Sequence, residues 1–237
     1  HKDMIRRINF SPDGKYIITA SADKTAILYD INGNIIKIFK GHSARLWDAT
    51  FSPNGKYIIT NSDDNTVRIW NLDGTEVVKL LGHTAEIRNA YFSPDGKYVL
   101  TLSRGGTTIR LWFLGDIKLP VLKGHRLGIW DADFSPDGKY IITASSDFTG
   151  RLWDRNGHFL QVFEGFNDQN DVEFSPDGEY ILTPCEDKTV RIWDIKGNEI
   201  QVLSHPASVS DADFSPDGKL IVTASSDKTV RLWDLEG

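Results

Sequence analysis

The sequence predicts an all-β fold in which small antiparallel sheets stack radially about an axis, and three observations predict it. A phenylalanine followed by a turn phrase recurs six times, at Phe10, Phe51, Phe92, Phe134, Phe174 and Phe214, in steps of 41, 41, 42, 40 and 40 residues. Each period contains short β-rich runs and no helical periodicity. A four-stranded sheet of this size cannot bury both faces alone, whereas stacked copies bury each sheet between two neighbours. The expected architecture is therefore a β-propeller with six blades in this chain, over repeats of approximately 1–41, 42–82, 83–124, 125–165, 166–204 and 205–237, all within a single domain, 1–237.

Each element follows from local chemistry. Ser-Pro-Asp-Gly, as at 11–14, suits a type I turn, because proline fixes φ at the second position and glycine suits the fourth. "KYIITAS" and its relatives then read as a strand, rich in Tyr, Ile, Val and Thr. After a tight Asp-Lys-Thr turn comes an alternating run such as "TVRIWD", and a third run follows a glycine loop, as in "NGNIIKIF". A fourth leads from Gly-His back to the phenylalanine. The last copy stops at "RLWDLEG", so its blade is expected to have three strands. Exposed strand edges invite pairing, and the native protein is expected to hold more repeats, a seventh blade or a second propeller, with a closed six-bladed ring as the alternative.

Composition narrows the function. With 40% hydrophobic residues among 237, the chain can bury a substantial core. A formal net charge of −6 with mixed signs argues against broad nucleic-acid binding. No apolar run reaches the roughly 18 to 20 residues of a membrane span. The lone Cys185 cannot form an internal disulfide, which favours a reducing compartment, and a cytoplasmic location is expected. The opening "HKDMIRRINF" carries neither an initiator methionine nor a signal peptide, and is expected to have been cut from something longer.

The phrase "GHSARLWDATFSPNGKYIITNSDDNTVRIWN" and its siblings resemble the WD-repeat β-propeller family, through Gly-His near the start, Asp in the tight turn and Trp-Asp at the end. Their near-identity is similar to the regular arrays of bacterial multidomain signalling proteins. The resemblance implies a hydrogen-bonded set of His, Thr, Asp and Trp in each blade: His42, Thr60, Asp64 and Trp70; His125, Thr143, Asp147 and Trp153; His205, Thr223, Asp227 and Trp233. Three repeats depart, with Tyr29 for Trp, Gly105 and Gly106 near the Asp position, and Phe166 for His, so those blades are expected to be less rigid.

No catalytic or metal site is expected, and no cofactor. Thr, His and Asp recurring in nearly every copy read as a structural repeat rather than a triad. His1, His42, His83, His125 and His205 belong to five different blades, whereas metal sites need converging ligands. No HExxH, GxSxG or complete phosphate-loop pattern is present. The match of Asn9-Phe10-Ser11 to a glycosylation acceptor is a by-product of the repeat, because Phe10 is expected in the core.

If repeated residues form the scaffold, departures from the repeat carry recognition. The resemblance implies partner contacts on the top face, flanking the start of each innermost strand and just before the turn Asp. Those positions are Met4, Arg6 and Ala22; Arg45, Trp47 and Asp63; Glu86, Arg88 and Arg104; Gly128, Trp130 and Ser146; Asp168, Asn170 and Glu186; and Ser208, Ser210 and Ser226. Of seven tryptophans, the two outside the structural third-strand position, Trp47 and Trp130, both fall in this set, and Trp and Arg are typical interface anchors. The plainer reading is that both pack beneath the loops. Arg6, Arg45, Arg88 and Arg104 lie on the first three blades, while Asp168 and Glu186 lie on the fifth, a two-signed rim suited to orienting a partner, or else merely solvated. Phe148 replaces the usual Lys; it either extends an aromatic patch with Trp130 and Phe166 or covers the space left by Gly150. The turn lysines, such as Lys15 and Lys56, read as a solubilising surface.

The expected function is a non-enzymatic protein-interaction scaffold or ligand-sensing platform within a larger signalling protein. Its partners would be proteins or peptides, with no nucleic acid and no membrane, alongside further WD repeats or effector domains in the same chain. The alternatives are a small-ligand or enzymatic site in the central channel, or a structural spacer. A channel site would gain from a cluster of perturbed acidic or basic residues lining the channel, and the sequence locates none.

Overall fold

A computed structural model of the chain describes residues 1–115, 121–164, 166, 171–185 and 187–237. These fall into two compact units, residues 1–119 and 120–237. The described secondary structure is strand and turn, arranged as five four-stranded sheets and one three-stranded sheet.

In the first unit, sheet one holds β1 (Ile5–Phe10), β2 (Tyr16–Ser21), β3 (Thr25–Asp30) and β4 (Ile35–Lys40). Sheet two holds β5 (Leu46–Phe51), β6 (Tyr57–Ser62), β7 (Val67–Asn71) and β8 (Glu76–Leu80). Sheet three is β9 (Ile87–Phe92), β10 (Tyr98–Ser103) and β11 (Thr108–Phe113), and its strand order also takes in the short β12 (Val121–Lys123), whose residues fall in the second unit.

In the second unit, sheet four holds β13 (Ile129–Phe134), β14 (Tyr140–Ser145), β15 (Thr149–Asp154) and β16 (Phe159–Glu164). Sheet five holds β17 (Glu173–Phe174), β18 (Tyr180–Pro184), β19 (Thr189–Asp194) and β20 (Glu199–Ser204). Sheet six has three strands, β21 (Val209–Phe214), β22 (Leu220–Ser225) and β23 (Val230–Asp234). Strand order within every sheet is sequential, as tight hairpins between neighbours require.

The turn phrase behaves as its residues dictate. Gly14 donates its N–H to the Ser11 carbonyl at 2.9 Å, with φ +69°, a left-handed conformation that glycine adopts without strain. Ser11 and Asp13 brace the turn by accepting from the N–H groups of Tyr16 and Lys15.

The core lies between sheets. Ile18, Leu28 and Phe39 of sheet one pack with Leu46, Ala49 and Phe51 of sheet two, and Ile59, Val67 and Ile69 pack with Ile87 and Ala90 of sheet three. In the second unit, sheets four and five share a core that includes Phe163, Phe166, Phe174 and Trp193, and Leu203 and Val209 lie in the core of sheets five and six. Within each unit β5, β9, β17 and β21 are thus covered by the sheet that precedes them. Phe10 corrects the sequence expectation: it is 63% exposed where Phe51 is 7%, because β1 has no preceding sheet in its unit. Val230 and Leu232 of β23 are also exposed, where the matching Val67 and Ile69 are buried.

Candidate interaction site

An irregularity in the ladder forms the site. At its start each fully described innermost strand slips register against the second strand. Ile5 pairs with Ser21 and Arg7 with Ala20; Leu46 pairs with Ser62 and Asp48 with Asn61; Ile87 pairs with Ser103 and Asn89 with Leu102. β13 and β21 slip in the same way. The extra residue is Arg6, Trp47, Arg88, Trp130 or Ser210. A bulge leaves one residue out of the pairing and re-aims its side chain. The side chains that vary most between repeats are therefore released from the pleat at equivalent points.

A backbone bond closes this end of the sheet. The residue before the turn Asp donates its N–H to a carbonyl just ahead of the bulge: Ala22 to Met4, Asp63 to Arg45, Arg104 to Glu86, Ser146 to Gly128 and Ser226 to Ser208, at 2.8–3.1 Å. All three predicted contact positions of a repeat are in this way held at one end of its sheet.

In the first unit these side chains converge. The Trp47 indole is half-buried, and three guanidinium groups surround its ring: Arg88 at 4.0 Å from the centroid, Arg6 at 4.7 Å and Arg45 at 5.0 Å. Cations over an indole face gain on the order of 0.5–2 kcal/mol each, more as they are desolvated. Asp63 fixes the arrangement, accepting from Trp47 Nε1 and from Arg45 Nε. A cavity of about 280 Å³ opens beside the ring, lined by Arg6, Arg7, Trp47, Asp48, Arg88 and Asn89. Among the described residues neither Arg6 nor Arg88 has a carboxylate partner, and each buries an Nε that makes no hydrogen bond. Arg104, by contrast, pairs with Glu86 at 3.4 Å.

In the second unit Trp130 repeats the motif in a neutral form. Its indole N–H donates to Ser146 Oγ, and the side chain remains 45% exposed. Phe148 is 55% exposed at φ +64°, a backbone state that Lys24, Asn65, Lys188 and Lys228 adopt at the matching turns. Phe166 does not extend a patch with it. Phe166 is buried against Phe163 and Trp193 and occupies the space a Cβ at Gly150 would need, so it is Phe166 rather than Phe148 that fills that gap. Asp168, Asn170 and Glu186 lie outside the described residues, and the acidic half of the expected rim with them.

The polar sets form where the resemblance places them. His42 Nδ1 meets Asp64 at 2.9 Å and its Nε2 meets Thr60 at 2.8 Å, while Trp70 donates to Thr60 Oγ1 at 2.9 Å. His125, Thr143, Asp147 and Trp153 repeat this, as do His205, Thr223, Asp227 and Trp233. Asp147 and Asp227 are held down to about 2: Thr149 and the Arg126 N–H outweigh burial at Asp147, and Thr229 leads at Asp227. Burial lowers His125 against the pull of Asp147.

The departing repeats find other solutions. His1 joins Asp23 and Thr19 with no Trp. His83 keeps Thr101 and Trp112 without an Asp, and burial together with Arg110 pushes it down to about 4. In the fifth repeat the Phe166 ring takes the histidine's place, and Asp187 pairs instead with Arg191 at 2.7 Å.

Sequence reasoning missed one feature. In the second unit the innermost strands and their approaches carry Asp131, Asp133, Asp171, Glu173, Asp211 and Asp213. Burial raises Asp133 to about 7, against a hydrogen bond from the Phe174 N–H, and raises Glu173 to about 7 with help from Asp213 and Asp133. A cluster of perturbed acids therefore exists that the sequence reading did not locate. Its signal lay in the residues one and three places before the recurrent phenylalanine, "DADF", "DVEF" and "DADF", against "RINF", "DATF" and "NAYF". Among the described residues no group of three or more His, Cys, Asp or Glu is arranged to hold a metal ion.

Sequential four-stranded sheets, cores between successive sheets and His-Thr-Asp-Trp sets define a WD-repeat β-propeller protein. Residues 4–237 match the family described as the IFT122 first beta-propeller, and the chain belongs to that family. It is also similar to the Notchless protein homolog of Arabidopsis thaliana, at 42% identity over 43 residues. That stretch is 18% of this chain and 9% of the relative, so the likeness spans only a small part of that protein.

Proposed function

We propose that this chain is a non-enzymatic protein-interaction scaffold of a larger signalling or regulatory protein, and that Trp47 with Arg6 and Arg88 forms its main docking face. WD-repeat propellers are in general interaction scaffolds. The observation that carries the finer reading is the half-buried Trp47 indole ringed by three guanidiniums, two of which have no carboxylate partner among the described residues. Rigid presentation is the mechanism: the bulge and Asp63 hold the anchors in place before a partner arrives, so little ordering entropy is lost on docking. The histidines of the complete sets have both ring nitrogens engaged by Thr and Asp, which supports a structural use for them rather than a catalytic one.

The single, fully buried Cys185 supports a cytoplasmic location. The test is affinity capture with the wild type and with folded Trp47→Ala and Trp130→Ala variants, bound proteins being identified by mass spectrometry. A defined partner lost with Trp47→Ala supports this face. Equal recovery by all three proteins removes it.

A further inference from the structure

We propose that the pocket between Arg6, Trp47 and Arg88 receives a phosphorylated serine or threonine of a peptide, an inference that rests on the docking face proposed above.

Charge comes first. Arg45 is neutralised by Asp63, so its role is to position the indole. Three guanidiniums, Arg6, Arg7 and Arg88, and one carboxylate, Asp48, line the cavity, which leaves a surplus of at least two positive charges. A carboxylate ligand would answer only one of them. A phosphomonoester carries roughly −1.5 to −2 at neutral pH and three strong acceptor oxygens, and answers both.

Geometry agrees. Arg6 and Arg88 arrive from different sheets on one ring, so their planar forks are held by stacking, and a guanidinium fork matches phosphate oxygens two at a time. Among the described residues no carboxylate pairs with either fork, whereas Arg45 and Arg104 are each claimed by one. The indole gives an apolar wall for the Cβ that carries the ester, a methylene in serine and a methyl-bearing methine in threonine. Volume and surroundings select the carrier. About 280 Å³ admits one side chain and its phosphate. A polyanion would have to lie across a chain of net charge −6 with Asp48, Asp63 and Glu86 at or beside the site. A peptide with a single phosphate meets no such barrier.

The experiment is fluorescence anisotropy with labelled degenerate peptide pools carrying a central phosphothreonine, or the same pools with threonine. Wild type is compared with Arg6→Gln/Arg88→Gln, Arg88→Lys, Trp47→Ala and Lys15→Gln, each confirmed as folded by its circular dichroism and melting temperature. The proposal expects the phosphorylated pool to bind wild type at least tenfold more tightly than the threonine pool. It expects Arg6→Gln/Arg88→Gln to erase that difference, Arg88→Lys to reduce it through loss of the fork, and Lys15→Gln, at a distant turn, to leave it unchanged.

Equal binding of both pools, or a phosphate preference that survives the double variant, overturns the proposal. Competition by inorganic phosphate at peptide-like concentrations overturns the peptide assignment. The docking face stands or falls separately: a threonine pool whose binding is lost with Trp47→Ala retains the face while removing the phosphate.

Discussion

The Arg88 guanidinium lies 4.0 Å from the centroid of the Trp47 ring, although the two side chains leave different sheets. Each is the extra residue of a bulge, and equivalent bulges on adjoining sheets bring side chains 41 positions apart into contact. The pairing sits at the surface, so its value lies in orientation more than in stability. Trp47→Ala is expected to lower unfolding free energy by about 1–3 kcal/mol in urea titration, below the roughly 3–5 kcal/mol of a core aromatic, while abolishing the phosphopeptide preference. A large loss of stability would show that Trp47 is a core residue.

Thr60 is the hub of the second repeat's polar set, facing His42 Nε2 and accepting from Trp70 Nε1. Thr60→Val strands two buried polar groups and is expected to cost about 2 kcal/mol or more. Thr19→Val, in a repeat whose Tyr29 supplies no indole donor, is expected to cost about half as much. Paired denaturant titrations measure both, and equal losses would show that the tryptophan bond contributes little.

Phe166 and Gly150 form a compensating pair across sheets four and five. Gly150→Val places a side chain against the Phe166 ring and is expected to destabilise by about 1–3 kcal/mol, while Phe166→Ala opens a cavity at about 3–5 kcal/mol. In Gly150→Val/Phe166→His the smaller ring makes room and regains access to Thr183 and Asp187. The double variant is therefore expected to be more stable than the two single effects predict, by at least 1 kcal/mol. Simple additivity in a double-mutant cycle would refute the pairing.

The acids of the second unit set an unusual pH response. Asp133 and Glu173 are raised to about 7 in the folded state, so between roughly pH 4 and 7 the folded chain binds more protons than the unfolded one. Stability from these groups is full at the acidic end and is lost as pH rises through 7. Asp147 and Asp227, held near 2, act in the opposite sense: their contribution is present above the ordinary carboxylate range and is lost as pH falls from about 4 toward 2. The unfolding midpoint is therefore expected to peak near pH 4, with His83, held down to about 4, offsetting part of the fall above it. Asp133→Asn with Glu173→Gln should flatten the neutral limb, a difference on the order of 2–4 kcal/mol between pH 5 and 8. A flat profile for wild type over that range would show that the acids are not held neutral.

The scaffold was legible in the chain because it is written in local chemistry repeated at a fixed period. Pro12 and Gly14 specify a turn wherever they recur, alternating Val, Ile and Thr specify strands, and His42, Thr60, Asp64 and Trp70 mark one blade's polar set. Candidate contact positions were legible too, as residues that vary where the repeat is otherwise constant. Charge pairing was not. Arg45, Arg88 and Arg104 read alike in sequence, yet Asp63 and Glu86 claim Arg45 and Arg104 and leave Arg88 open, since pairing depends on side-chain reach between turns.

Burial at the first strand and between acids was likewise decided in three dimensions. Phe10 and Phe51 occupy the same place in the repeat, but only Phe51 has a preceding sheet to cover it within its unit. Asp133 and Glu173 are ordinary carboxylates along the chain, and become proton-holding groups only when successive innermost strands crowd them together. The sequence by itself determined the blades, because turns, strand pairing and the polar sets depend on contacts within one period. Tertiary structure decided which arginines remain open and which acids stay protonated, because those depend on distances between periods, and no residue encodes such a distance alone.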